Sequence, residues 1–229
     1  MADAEKIVLD SIKLTKDCLD IGKFASEELA KTLPVFGAFG VLVIDLIGAS
    51  QHKKDSVKPM LQKLENNIRK LSQQTAKGFD DMKAFVTEQS FSRDILMPVS
   101  TLIKFMLPTV EDPNTHNVEH FRKECAATSA LRIANDMLSC LERSATNPLK
   151  MAMAAETEKS TATFNKWKNL LMTVMGELLM LETYINAMFW QRNMWGPNEM
   201  MKKAKVLEEH IDQWETELRT TTGRVLFRN

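Results

Sequence analysis

Apolar residues recur at three- and four-residue steps along most of the chain, the pattern of helices that each bury one stripe. The first line is Ile7, Leu14, Cys18, Ile21, Ala25 and Leu29, and it ends before Pro34. The second is the most regular: Val57, Leu61, Leu64, Ile68, Leu71 and Thr75, then Phe79, Met82 and Phe85. Pro59 fits the first turn of that helix, where a missing N–H costs nothing. Spacing of this kind over about four heptads predicts a long helix packed lengthwise on a neighbour. Residues 92–110 are apolar but carry Pro98 and Pro108, which predicts a short helix and a turn. The EDPNTHN stretch, 111–117, predicts a loop.

A helix from about 118 to 145 follows, with Phe121, Cys125, Leu131, Leu138 and Leu141 inward, stopped by Asn147-Pro148. The next runs from about 149 to 194 along Trp167, Leu171, Val174, Leu178, Leu181, Ile185 and Met188. Between Leu170 and Trp190 it is apolar almost all round, as expected of a central helix. Gly196-Pro197 ends it. The last helix uses Met200, Ala204, Leu207, Ile211, Trp214 and Leu218, with Gly223 at the expected C-cap. Strand-like alternation is absent. The pattern predicts an all-α fold: a single domain over 1–229, built as an elongated bundle of five to six helices, several of them long.

One passage breaks the amphipathic pattern. Residues 33–49, LPVFGAFGVLVIDLIGA, carry a single charge, Asp45, and three of the chain's eight glycines. As a helix they would reach roughly 25 Å, against ~30 Å for a hydrocarbon core. Pro34, Gly37 and Gly40 allow the chain to fold back there, so the reading is a hairpin over 33–50 between the first two long helices. Two uses fit it: a segment that enters a membrane, or a corner buried under the bundle. The membrane-entering residues are then Pro34, Val35, Phe36, Gly37, Phe39, Gly40, Val41, Leu42, Val43, Ile44, Leu46 and Ile47. Residues 51–77 carry seven Lys or Arg against two acids, Asp55 and Glu65. Lys53, Lys54 and Lys58 would meet lipid headgroups, each contributing about 1 kcal/mol near an anionic surface. Asp45 is costly inside a bilayer, by ~2.5–3.5 kcal/mol at a helix centre. It acts as a switch released at low pH or on facing a water-filled lumen, or it caps a helix or pairs with a lysine in the soluble fold.

Charge and composition narrow the chemistry. With 30 basic and 30 acidic residues in 229, no bulk attraction to nucleic acid is expected. Three dispersed cysteines do not make a disulfide framework. The N-terminus has no apolar h-region, and no run of eighteen uncharged apolar residues predicts a resident transmembrane helix. The expected location is soluble, either cytoplasmic or released by a non-classical route, with conditional membrane association. His116-Asn117-Val118-Glu119-His120 is an H-x-x-E-H string that on a helix presents two histidines to one zinc ion. It begins in the Pro113-Asn114 loop, and no third ligand is set by spacing, Glu124 and Glu142 aside. Nine of the fifteen methionines lie between Met151 and Met201, with Trp190 and Trp195 beside them. They are core filler or an adaptable surface suited to partners and membrane interfaces. No phosphate-loop, dinucleotide, C-x-x-C or nucleophile-elbow string occurs. The expectation is no enzyme, no catalytic residue, no metal and no cofactor.

The order of charged helix, Gly-rich apolar hairpin, long heptad helix and further long helices resembles the α-helical pore-forming toxins of the haemolysin E type. The opening MADAEKI and the helix-then-PVFGAFG arrangement are similar to the rapunzel-like proteins of aquatic animals. In the haemolysin E type the hydrophobic tongue lies deep in the chain, whereas here it follows the first helix, so insertion does not carry over in detail. The resemblance implies a bundle that inserts into a lipid membrane, preferably anionic, and forms a homo-oligomer there. The alternative is a non-enzymatic interaction scaffold with the 33–49 hairpin permanently buried.

Overall fold

A computed structural model describes residues 4, 6–13, 57–80, 86–143, 145–155, 161–190 and 195–226. The apolar 33–50 segment, with Asp45, and Lys53 and Lys54 lie outside the described residues. Among the described residues the regular structure is helical, with no strand. Residues 6–13 form a helical segment whose inward side chains are Val8 and Ile12; Ile7, expected inside, is exposed.

The regular second line becomes α1, Val57–Asp80, with Leu61, Ile68 and Thr75 buried and Lys58 in its first turn. Next come α2, Val86–Phe91, a π turn, Ser92–Leu96, and α3, Met97–Glu111. Pro98 does not break the chain here. It lacks the N–H that would bond back into the preceding turn, and the Met97 amide reaches Ser92 O, one residue further back than in an α-helix. The extra residue absorbs the defect, and the helical path continues. Pro108 lies inside α3 near its end.

The 111–117 loop is short and fully capped. Asn114 accepts from the Asn117 amide at 2.9 Å to start α4, Thr115–Ala127. The Asn117 side chain donates to Pro108 O at 3.2 Å and Asp112 O at 2.8 Å, closing α3. The helix expected over 118–145 is two helices. Thr128 leaves helical geometry, and Ser129 caps α5, Ala130–Glu142, by accepting from the Arg132 amide. Asn147 then caps α6, Pro148–Ala155, while its amide donates to Leu141 O at 2.7 Å. The helix expected over 149–194 is likewise divided into α6 and α7, Thr161–Phe189. The last helix, α8, spans Trp195–Leu226 and so starts on the Gly196-Pro197 pair and runs through Gly223 instead of stopping there.

α7 is the centre of the packing. It contacts α1, α3, α5, α6 and α8, and its whole predicted inner line, Trp167 to Met188, is buried. It is long and apolar enough to cross a membrane, but 83% of that window is buried in the protein, so here it serves as the core helix. Aromatic rings lock its two ends: Phe91 meets Trp167 edge-on at 5.9 Å, and Phe121 packs on Tyr184 and Phe189, each at 5.8 Å. Along α8 an ion pair from Lys168 to Glu215, 3.1 Å, joins the two helices.

Candidate functional site

A cavity of about 800 Å³ opens where the C-terminal end of α7 meets α4, α5 and the first turn of α8, within the size range of small-ligand sites. α7 contributes Glu182, Ile185, Asn186 and Phe189, spaced i, i+3, i+4 and i+7 and therefore on one face. Arg122 and Cys125 come from α4, Leu131 from α5, and Trp195 and Gly196 from α8, with Trp190 just past the end of α7. Trp190 and Trp195 are 64% and 63% exposed. The Arg122 guanidinium stands 4.9 Å over the Phe189 ring, a cation–π arrangement.

The polar groups on this face are poorly answered. Asn186 is 4% exposed, yet its Oδ1 has no hydrogen-bond partner among the described residues. Burial pushes the Glu182 carboxyl above its ordinary range. Gly196 makes room for that carboxylate, because a Cβ at 196 would collide with Glu182 Oε1. Burial, with Glu182 and Glu124 adding to it, pushes the Cys125 thiol up to about 12. It is therefore a protonated, unreactive wall of the cavity.

A second polar spot lies on another face of α7. The Glu177 carboxylate is 2% exposed and accepts a hydrogen bond from Thr75 Oγ1 at 3.1 Å. It borders a cavity of about 180 Å³ lined by Ser72, Ser92 and Ser100, with no other charged side chain. Burial outweighs the Thr75 hydrogen bond and raises its carboxyl from 4.5 to about 7. One turn pair on, Tyr184 OH meets Thr109 Oγ1 at 2.8 Å, and that hydroxyl also donates to Met106 O at 2.6 Å.

The H-x-x-E-H string falls inside α4, not in a loop: His116 and His120 face each other with ring centroids 4.3 Å apart, both exposed. No group of three His, Cys, Asp or Glu among the described residues is placed to hold a metal ion. Of the tryptophans, Trp167 and Trp214 are core, whereas Trp190 and Trp195 are not. Sequence reasoning missed the α7 cavity, although its signal was present. Glu182 and Asn186, like Glu177, are polar interruptions in the largely apolar stretch from Leu170 to Trp190, and such interruptions need a reason.

Residues 59–223 match a family described as "Protein of unknown function (DUF684)", and the chain belongs to that family. The matched region begins after the 33–49 segment. No curated protein and no solved structure matches the chain.

Proposed function

We propose that this DUF684 member is a non-enzymatic, elongated helical bundle in one domain that binds membranes and inserts residues 33–49. The observation behind this reading is the segment itself: seventeen residues with one acid, followed directly by a basic stretch whose Arg69 and Lys70 are exposed on α1. The described helices already share one continuous hydrophobic cluster from Val8 to Trp214, and the proposal gives 33–49 a task outside it. Pro34 through Ile47 enter the bilayer, Lys53, Lys54 and Lys58 meet headgroups, and Asp45 is the acid whose protonation eases entry. Homo-oligomerisation follows insertion, as the haemolysin E-type resemblance implies.

The change of state requires that the bilayer bind the open form better than the closed one. Burying about ten large apolar side chains in lipid provides on the order of 15 kcal/mol, enough to offset undocking. Intact protein is expected to bind anionic liposomes and release an entrapped dye. If it does neither at any pH from 4 to 8, the reading fails. Phe39→Asp separates it from an interaction scaffold with a buried hairpin: an insertion tip stays folded and loses lipid activity, whereas a buried hairpin unfolds.

A further inference from the structure

The α7 cavity presents two oxygen groups, a carboxylate and an amide oxygen, whose negative ends favour a cation. Asn186 Oδ1 is buried without a partner among the described residues, a state that is costly to keep. The Glu182 carboxylate is drawn partly out of water, and no hydrogen bond or ion pair from the described residues reaches it. Trp190 and Trp195 line the same opening, and aromatic faces attract ammonium ions; the Phe189 ring is already met by Arg122. Together, a carboxylate, a free amide oxygen and two tryptophans suit an organic ammonium group. A simple cation would nevertheless meet the charge of Arg122, which forms no ion pair with the described residues. A ligand that carries an anion a few bonds from its ammonium group meets both charges favourably. The planar fork of the Arg guanidinium suits bidentate recognition of a phosphate.

We propose that this cavity binds a phosphoammonium zwitterion of the phosphocholine or phosphoethanolamine type. The ammonium group sits against Glu182 and Asn186, the phosphate against Arg122, and an attached alkyl chain along Leu131 and Ile185. The volume of about 800 Å³ accommodates more than the charged group alone. The ligand is either the free compound or the headgroup of a lipid; the chemistry recognised is the same. The inference goes beyond the insertion reading and does not use residues 33–49.

The test is calorimetric titration of the full chain with phosphocholine, choline and inorganic phosphate, followed in parallel by the fluorescence of Trp190 and Trp195. Phosphocholine is expected to bind with Kd of about 1 mM or tighter, and phosphate alone at least about tenfold more weakly. Glu182→Gln is expected to weaken phosphocholine at least about tenfold. Arg122→Gln alters an exposed side chain, so folding is not at stake. It should weaken phosphocholine about tenfold and leave choline binding no weaker, or strengthen it, because the repelling charge is gone. The proposal is overturned if phosphocholine shows no saturable binding up to about 50 mM, or if both variants bind it as the wild type does. Phosphatidylcholine vesicles identify the source. Competition by free phosphocholine for vesicle binding supports the lipid headgroup, and binding of the soluble compound without vesicle binding supports the free one. Because the primary readout is a soluble ligand, failure here leaves the insertion reading standing, and failure of dye release leaves this site standing.

Discussion

α7 carries two sets of buried polar residues, and they are treated in opposite ways. Glu177 and Tyr184 are seven residues apart and share the face toward α1 and α3. Each meets a threonine hydroxyl from a neighbouring helix, Thr75 at 3.1 Å and Thr109 at 2.8 Å. Glu182 and Asn186 are four apart on the face toward α4, α5 and α8, and neither receives a hydrogen bond from the described residues. On the first face a polar group specifies which helix docks and in what register, because the wrong neighbour would leave it unanswered. On the second face the protein keeps the cost and leaves a cavity. Unanswered groups beside open volume mark a surface shaped for something other than the chain itself.

The largest predicted effect tests how dry the first face is. In the folded state the Glu177 carboxyl is raised from 4.5 to about 7, so the native protein holds this proton more tightly than the unfolded chain. Between these values the folded state binds more protons, and stability falls as pH rises; above about 7 the loss is complete. At about 1.4 kcal/mol per unit, the shift amounts to on the order of 3 kcal/mol. Glu177→Gln keeps an acceptor for Thr75 and removes the charge. In urea unfolding, the variant is expected to gain on the wild type from pH 5 through about pH 7 and then to level off toward pH 8.5, reaching on the order of 3 kcal/mol. A difference independent of pH would mean that water reaches Glu177 and that the contrast between the two faces is false.

A smaller effect is expected from the second member of that face. Tyr184→Phe removes one hydrogen bond to Thr109 and leaves the ring, its contact with Phe121 and the Thr109–Met106 bond in place. The cost is expected to be about 1 kcal/mol. It should also be the same at pH 5 and pH 8.5, because burial pushes the Tyr184 hydroxyl well above its ordinary range and keeps it neutral. Urea midpoints at the two pH values measure both the size and the flatness.

These faces show where the sequence was readable. The inner line of α7 and that of α8 through Trp214 could be read from spacing alone, because a stripe at 3.6-residue period has one way to be buried. The Asn114, Asn117 and Asn147 caps were legible as loops for the same local reason. Pro98 misled, since proline signals a break and the π turn that absorbs it depends on the whole 92–97 backbone. Ser129 was a cap signal passed over in favour of an uninterrupted apolar line. The α7 cavity lies at the meeting of four elements about 70 residues apart in sequence, Arg122 to Gly196, and no periodicity reports such a meeting. Only the oddity of Glu182 and Asn186 in an apolar helix pointed there.

The smallest predicted change bears most directly on the second face. Asn186 is buried, and its Oδ1 has no partner among the described residues, so Asn186→Leu, which keeps the branch at Cγ and can extend into the adjoining cavity, removes no hydrogen bond from that oxygen. Replacing an unanswered polar group by an apolar one of similar shape is neutral or stabilising. The variant is therefore expected to match the wild type within about 0.5 kcal/mol in urea unfolding, or to exceed it. Loss of 1 kcal/mol or more would show that Asn186 has a structural partner and that the two faces obey the same rule. If stability is kept, the asparagine is not there for the fold. A residue that the fold would do as well without, held buried beside a carboxylate and two tryptophans, is retained at a cost in stability that proteins accept at binding sites. Asn186→Leu should then weaken phosphocholine binding while leaving the melting transition where it was, and that split distinguishes a ligand contact from a packing defect.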